Sequence, residues 1–425
     1  MNIYIINNPF HYEIENLTRA FFNNEKMNVI KCDKNVNREK PFVAIELIKH
    51  EKDSDIIVSF ADEDFEKTLS KKIDGEFDSE YSECERMAAI MLFEILSEYT
   101  GIRLPWGILT GVRPIKLLHN LVRELGTDGA DKYFREKLLV TEQKTKLALT
   151  TEKNERKILE LSKPDSFSLY ISVPFCPTRC SYCSFVSQSI EKAKKLVEPY
   201  LDLLCQEIKY TAEIAKELNL RLETVYIGGG TPTTFSAEQL TKLITAINAS
   251  FDMKKCREFT IEAGRPDTIT REKLEAILDG GCDRISINPQ TLNDEVLEAI
   301  GRRHTATQTL EAYKLAEEIG FKHINMDLIT GLPKDTPETF KYTLDTLCDL
   351  SPASITVHTL AMKRSSFLTL GGALVKTGAE PPAAIMMKYC EEKLPQFGYH
   401  PYYLYRQSRM EGNLENVGWS KDGFD

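Results

Sequence analysis

The feature that most limits how this chain can fold is a regular alternation, from residue 168 to residue 360, of short β-type runs with amphipathic helical stretches. The runs are SLYISV (168–173), TVYIGGG (224–230), EFTIEAG (258–264), RISINPQ (284–290), HINMDLITGLP (323–333) and SITVHTL (354–360). Strands that alternate with helices build a parallel sheet, because each crossover helix carries the chain back to the same end. Six such units fall two short of a closed eight-stranded barrel. The expected class is therefore α/β, an open partial (β/α)6 barrel with its site at the carboxyl ends of the strands. A doubly wound open sheet is the competing topology and places ligands at the same ends.

Ahead of this series, residues 1–165 contain IYII (3–6), FVAIELI (42–48) and DIIVSFA (55–61), with a helix expected over 13–22; together they predict a small α+β domain. Between Glu51 and Glu85 stand 13 acidic and 4 basic residues, mostly without apolar period, which read as a solvated acidic surface. From Arg86 the run RMAAIMLFEILSEYTG sets Met87, Ile90, Met91, Glu94 and Leu96 on one wide helical face, and Gly101 supplies the stop. The segment LPWGILTGVRP then turns the chain, and Pro114 opens a second helix that runs to Gly126. The polar stretch 129–162 predicts further helix, ending in the breaker LSKPDS at 161–166. The domains accordingly read as 1–165, 166–365 and a covering segment over 366–425.

With 54 basic against 64 acidic residues, a net charge of −10, the chain offers no overall positive surface to nucleic acid or to an anionic membrane. No apolar run approaches the roughly 18 residues that a membrane span needs. The opening MNIYIINNPFHYEIEN lacks the basic region and cleavage site of a signal peptide, so a cytoplasmic location is expected. In a reducing compartment, ten cysteines are too few for a disulfide scaffold in a chain of 425 residues.

Three of them cluster. Directly after the first strand of the series, VPFCPTRCSYCSF spaces Cys176, Cys180 and Cys183 as C-x3-C-x2-C in one loop. That spacing is too tight for mutual disulfides, and soft sulfur ligands select zinc or iron–sulfur. Structural zinc calls for a fourth ligand nearby; the next cysteine is Cys205 and the next histidine lies much farther on. A [4Fe–4S] cluster held by three cysteines instead leaves one iron open to a ligand. Cys32, Cys84, Cys205, Cys256, Cys282, Cys348 and Cys390 are scattered and read as ordinary thiols, and His304, His323 and His358 as satisfied core or surface histidines. Gly228, Gly229 and Gly230 let backbone approach a ligand closely, although tight-turn packing explains a glycine triplet equally well.

Tyr170, Pro174, Phe175 and CPTRCSYC, with Tyr182 before the last cysteine, resemble the cluster loop of radical S-adenosylmethionine (SAM) enzymes. The segments IGGGTPT (227–233), IEAGRPD (261–267), ISINPQT (285–291), IGRRHT (300–305) and NMDLITGLP (325–333) resemble, in order, the motifs of the oxygen-independent coproporphyrinogen III oxidase group. LPWGILTGVRP, YYLYRQ (402–407) and GNLENVGWS (412–420) are similar to the HemZ-type branch of that group rather than to its haem chaperones.

The resemblance implies a barrel of radical SAM type with two cofactors, a [4Fe–4S] cluster on Cys176, Cys180 and Cys183, and SAM, whose amino and carboxylate groups chelate the open iron. It assigns SAM contacts to Tyr170, Tyr182, Gly228, Gly229, Gly230, Glu262, Gln290, Arg302 and Asp327. It implies oxidative decarboxylation of two propionates of coproporphyrinogen III to vinyl groups, started by a 5′-deoxyadenosyl radical, with a small flavodoxin- or ferredoxin-type protein as reductant and no catalytic nucleophile. A haem-delivery protein on the same scaffold is the alternative. Arg265, Arg303, Lys334, Lys363 and Arg364 fall near strand ends as candidate partners for substrate carboxylates, and the 381–419 segment, whose YYLYRQ offers aromatics and a cation suited to a flat anionic tetrapyrrole, is expected to cover the open side of the barrel. Two departures stand out: Ser172 occupies a position where the biosynthetic oxidases have histidine, and the chain ends at SKDGFD where family members continue, which suggests a truncated C-terminal region.

Overall fold

The computed structural model describes residues 1–22, 25–33, 36–74, 77–361, 380–407 and 410–425. They group into two compact units, one made of residues 1–152, 380–384 and 404–415, the other of residues 153–361, 385–403 and 416–425. The division falls inside the helix Glu142–Leu159 rather than at the 161–166 breaker, and the C-terminal residues are shared between the units.

The first unit carries strands β1 (Asn2–Ile6), β2 (Asn28–Cys32), β3 (Phe42–Lys49), β4 (Asp53–Ala61) and β5 (Glu66–Asp74) in the sheet order β2-β1-β3-β4-β5. β1 runs parallel to β2 and β3, while β3, β4 and β5 form an antiparallel meander. Helices His11–Phe21 and Phe77–Thr100 bury Ile14, Leu17, Phe21, Leu92, Phe93 and Leu96. The acidic stretch thus holds a strand that composition alone conceals. β5 is an edge strand, paired on one side only, so charged side chains suit it and no apolar period is required. The long helix also begins nine residues before Arg86, and Glu94 faces solvent, where it pairs with Arg103 at 3.3 Å. Gly101 ends that helix in the left-handed region (φ 70°), as expected. Gly126 (φ 73°, ψ 173°) interrupts the next helix, Pro114–Lys132, without ending it. The polar stretch beyond splits into a wide turn at Tyr133–Lys137 and the helix Glu142–Leu159.

Two distant segments meet inside this unit. Trp106, fully buried, donates its indole N–H to Glu415 Oε2 at 2.6 Å, and the guanidinium of Arg406 lies over its ring, 5.4 Å from the centroid. Arg406 donates to the carbonyl of Leu109 (2.5 Å) and to Asn413, and its own amide reaches Val112 O at 2.8 Å. The cation of YYLYRQ, expected to meet a flat anionic ligand, is therefore a buried internal anchor.

The second unit contains β6 (Ser166–Val173), the two-residue pair β7 (Phe175–Cys176) and β8 (Gln188–Ser189), then β9 (Arg221–Gly229), β10 (Glu258–Glu262), β11 (Arg284–Gln290), β12 (His323–Thr330), β13 (Ser354–Thr359), β14 (His400–Tyr405) and β15 (Asn416–Ser420). The main sheet has the order β14-β15-β13-β12-β11-β10-β9-β6. From β6 to β13 the pairings of the main sheet are parallel among the described residues, so the six expected strands lie side by side as an open partial barrel. β15 then pairs antiparallel with β13 and β14 adds a further strand, so part of the anticipated covering segment extends the sheet to eight strands.

Within each parallel strand one set of alternate residues is apolar and buried: Val225 and Ile227, Phe259 and Ile261, Ile285 and Ile287, Ile324 and Met326, Ile355 and Val357. The other set is polar, and the register strings it into a row: Ser172 beside Gly228, Glu262 beside Ser286, Ser286 beside Asn325, and Asn325 beside Ser354. Crossover helices begin at capping boxes on Ser236, Thr305 and Thr336, which fix where each strand-end loop stops.

Candidate functional site

The cysteine loop is built by the chain leaving β6. β7 pairs with β8, and Gln188 N donates to Pro174 O at 2.8 Å, closing the loop at its base. Gly230 N and Thr231 N donate to Val173 O and Phe175 O, each at 2.8 Å, while Ser181 N donates to Ile300 O at 3.0 Å. The loop is thus fixed by the ends of β6 and β9 on one side and by the turn after the helix Asp294–Ala299 on the other. Cys176 and Cys180 are buried and Cys183 is half-buried; burial first, and then the neighbouring Cys180 and Cys176, push the Cys183 thiol up.

Donors point at two of these sulfurs: Thr231 Oγ1 lies 3.5 Å from Cys176 Sγ and Arg265 Nη1 lies 3.8 Å from Cys180 Sγ. A Cβ on Gly230 would stand 2.9 Å from Cys176 Sγ and 2.7 Å from Phe175 O. Glycine is therefore what permits this approach of loop to strand end. Among the described residues no three His, Cys, Asp or Glu side chains converge as the ligands of one ion would. The donor set of the loop is three soft sulfurs with hydrogen-bond donors behind them, which suits an iron–sulfur group.

The remaining sequence-derived residues gather around the same strand ends. Gly228 leaves room for Glu262, whose carboxyl carbon would be 3.2 Å from a Cβ there, and Gly229, at φ 106°, clears Ser172. Glu262 accepts a hydrogen bond from Tyr226 at 2.5 Å; burial raises its carboxyl to about 7, with the Tyr226 bond opposing and the Asp327 charge adding to the rise. Asp327 has the reverse balance. Burial pushes its carboxyl up, but His358, Asn325 and Thr356 outweigh it and hold the group below the usual carboxylate range. Gln290 is buried in the left-handed region (φ 68°), where β11 slips register against β12, and its Oε1 has no hydrogen-bond partner among the described residues. Tyr170 is 60% exposed and stacks on Tyr226 with centroids 5.8 Å apart. Tyr182 packs against Val296, Leu297, Ile300, Ile329, Leu332 and Leu360, with its hydroxyl 3.2 Å from Arg302 Nη2. Arg302 also donates to Asn288 O and to Gly264 O (3.3 Å), so most of its fork stitches loops together, leaving Nε without a partner among the described residues.

The cations expected to meet substrate carboxylates fare differently. Arg265 is buried and committed to Asp267, Thr178 and Cys180, and Arg303 is exposed and paired with Glu191 at 3.1 Å. Lys334 adopts φ 66° just past β12; Lys363 and Arg364 lie outside the described residues.

Sequence reasoning passed over the polar row itself. Asn325 donates to Ser286 Oγ (2.8 Å) and Asp327 Oδ1 (2.7 Å) and accepts from Ser354 (3.1 Å) and Thr356 (3.0 Å). His358 Nε2 stands 3.7 Å from Asp327 Oδ2. The available signal was the polar residue at every second position of YIG, TIE, ISIN, NMD and TVH. Chains buried on both sheet faces lack that alternation.

Comparison with known proteins agrees with this arrangement. The radical SAM superfamily model matches residues 170–347. The chain is 40% identical over 349 residues to the oxygen-independent coproporphyrinogen-III oxidase-like protein HemZ of Bacillus subtilis (strain 168), covering 81% of this chain and 69% of that protein. It is 35% identical over 266 residues to the heme chaperone HemW of the same organism, covering 60% of this chain and 68% of that protein. Among solved structures, the coproporphyrinogen III oxidase HemN of Escherichia coli, a radical SAM enzyme, superimposes with a TM-score of 0.51 at 26% identity, over 63% of this chain and 59% of that one. Among the described residues no helix is long and apolar enough to cross a membrane. With its cysteine loop and polar strand row on a parallel half-barrel, this chain belongs to the radical SAM superfamily, in the coproporphyrinogen-III-oxidase-like family that includes HemZ.

Proposed function

We propose that this protein is a radical SAM oxidoreductase that converts two propionate side chains of coproporphyrinogen III to vinyl groups, yielding protoporphyrinogen IX in oxygen-independent haem synthesis. One observation carries the choice within the family. The match to HemZ runs over 349 residues, more than the 273 residues from position 153 to the end, so it extends well into the N-terminal residues 1–152; the match to the haem chaperone, 266 residues, needs none of those N-terminal residues.

The family's cofactors are a [4Fe–4S] cluster and SAM. In this reading Cys176, Cys180 and Cys183 hold the cluster, and Thr231 and Arg265 brace two of the sulfurs. When bound, the reduced cluster and SAM supply a carbon-centred radical able to take hydrogen from an unactivated carbon. The chain itself supplies placement. Gly228 and Gly229 keep the end of β9 free of side chains, and Glu262 and Asp327 offer carboxylate oxygens to ribose hydroxyls or an ammonium group. Arg302 Nε and Gln290 Oε1 are two of the buried polar atoms that have no hydrogen-bond partner among the described residues. Tyr170, stacked on Tyr226, presents an exposed aromatic ring on β6. A small flavodoxin- or ferredoxin-type protein is the proposed reductant.

The test is an anaerobic assay of reconstituted protein with SAM, a reductant and coproporphyrinogen III, following 5′-deoxyadenosine and vinyl product together. Vinyl product in step with 5′-deoxyadenosine is expected. Tight haem binding with no vinyl product would replace this reading with the haem-delivery one.

A further inference from the structure

We propose that Arg265 positions the cysteine loop and sets the reduction potential of the cluster held there, by donating a hydrogen bond to the Cys180 sulfur. The inference rests on the reading that Cys176, Cys180 and Cys183 hold that cluster. Arg265 follows β10 and is 3% exposed. Its Nη1 lies 3.8 Å from Cys180 Sγ, 3.2 Å from Thr178 Oγ1 and 3.4 Å from Thr178 O, while Nη2 lies 3.2 Å from Thr178 Oγ1. On its other side, Nε and Nη2 grip the two oxygens of Asp267 at 3.1 and 3.2 Å. Thr178 in turn donates to Gly301 O at 2.9 Å. One rigid fork thereby ties the turn after β10 to the middle of the loop, between the first and second cysteines, a geometry that the single ammonium of lysine does not reproduce.

The electrical consequence follows from charge. Reduction adds one negative charge to a group already carrying three thiolates. A buried N–H donor and a buried positive charge favour the reduced form, since hydrogen bonds to the sulfurs and local net charge are the protein's levers on cluster potential. Asp267 cancels part of the guanidinium's charge, so the pair gives the protein two levers of opposite sign. The same two charges also act on His304. It is 2% exposed, and burial, then Arg302, then Arg265, push its imidazole down to about 3 even though Asp267 Oδ1 stands 3.9 Å from Nδ1.

The experiment is an EPR-monitored redox titration of anaerobically reconstituted wild type, Arg265→Gln, Asp267→Asn and Arg303→Gln, with iron and sulfide assayed on each. Arg303 is the exposed control, paired with Glu191 at 3.1 Å. In Arg265→Gln the ratio of reduced to oxidised cluster at a fixed potential should fall about tenfold, which for a one-electron couple is about 59 mV toward negative. Asp267→Asn should move it the opposite way, and Arg303→Gln should titrate like wild type. An unchanged midpoint in Arg265→Gln, or a shift of Asp267→Asn in the same direction, overturns the proposal, since a merely structural clamp gives no opposed pair of shifts. Loss of iron in Arg265→Gln supports the positioning half and leaves Asp267→Asn to decide the potential. Wild-type protein that holds no iron and sulfide overturns the cluster reading itself, and this inference with it.

Discussion

The hydroxyl of Tyr226 donates to Glu262 Oε1 at 2.5 Å, and the ring of Tyr170 stacks on Tyr226 at an interplanar angle of 12°. A strand aromatic from β9 thereby holds the carboxyl at the end of β10, while the edge strand β6 lays a second ring over it. Desolvation raises the carboxyl to about 7, so Glu262 changes charge near neutral pH.

A carboxylate accepts hydrogen bonds from ribose hydroxyls or an ammonium group more strongly than the neutral acid does. SAM affinity should therefore increase several-fold from pH 6 to pH 8. Tyr226→Phe removes a donor that favours the charged form, so its midpoint should lie higher and its SAM affinity at pH 7 should be weaker. Stability runs the other way in the ligand-free chain. An unfolded glutamate titrates near about 4.3, so between that value and about 7 the folded chain keeps a proton that the unfolded one has released. The contribution of Glu262 is thus fully present below that window and is lost as pH rises through it. Calorimetric SAM titrations at pH 6, 7 and 8 check the first point; a pH-independent affinity in both proteins would remove Glu262 from the pocket.

Replacing Cys176, Cys180 or Cys183 with alanine should cost the protein its iron and sulfide together, from about four of each per chain. Cys282 offers the contrast, since its buried thiol donates to Phe259 O at 3.0 Å and Arg284 O at 3.1 Å, near the opposite ends of the strands. Cys282→Ala should leave the cluster intact and lower stability by about 1 kcal/mol. Stoichiometric zinc without labile sulfide in the wild type would contradict the assignment.

Asn325 makes four side-chain hydrogen bonds that join β11, β12 and β13. Asn325→Ala leaves several buried partners unpaired and should lower stability by about 2 to 4 kcal/mol. It also withdraws a donor from Asp327, so the Asp327 carboxyl should rise and SAM binding should weaken. Thr356→Val removes one hydroxyl, which donates to Asn325 and supports Asp327, and should cost about 1 kcal/mol. Equal losses from the two variants in denaturant titrations would show that Asn325 is no hub.

The six parallel strands are legible because β-branched runs bounded by helix caps announce themselves locally, and the cysteine loop because its three ligands fall within eight residues. Tyr226, Asn325 and His358 are not, since each looks like a stray polar residue in an apolar run until the pairing brings them to one face of the sheet. By residue type and position, Arg265 and Arg406 are candidate cations for an anionic ligand. Residue type does not reveal that both guanidiniums are buried and saturated by backbone and side-chain acceptors. β14 and β15 escape for another reason: they are short, and β15 returns antiparallel at an edge where the βα rhythm has already stopped.

Arg406 decides what the YYLYRQ segment contributes. Its guanidinium donates to Leu109 O at 2.5 Å, Leu414 O at 3.4 Å and Asn413 O at 3.2 Å, and it covers the ring of Trp106. Arg406→Met leaves those carbonyls without their donor and removes the cation from the indole face, a loss of about 3 to 5 kcal/mol. Arg406→Lys keeps the charge but cannot reach three carbonyls at once, so it should recover only part of that stability. Both variants should melt the first unit earlier and expose residues 404–407 and 410–415 to protease, while cluster content and SAM affinity in the second unit stay at wild-type levels. Thermal melts with limited proteolysis read the first effect, and iron assay with SAM calorimetry the second. A variant that keeps its melting temperature but loses affinity for a tetrapyrrole would return Arg406 to the role of a ligand-facing cation.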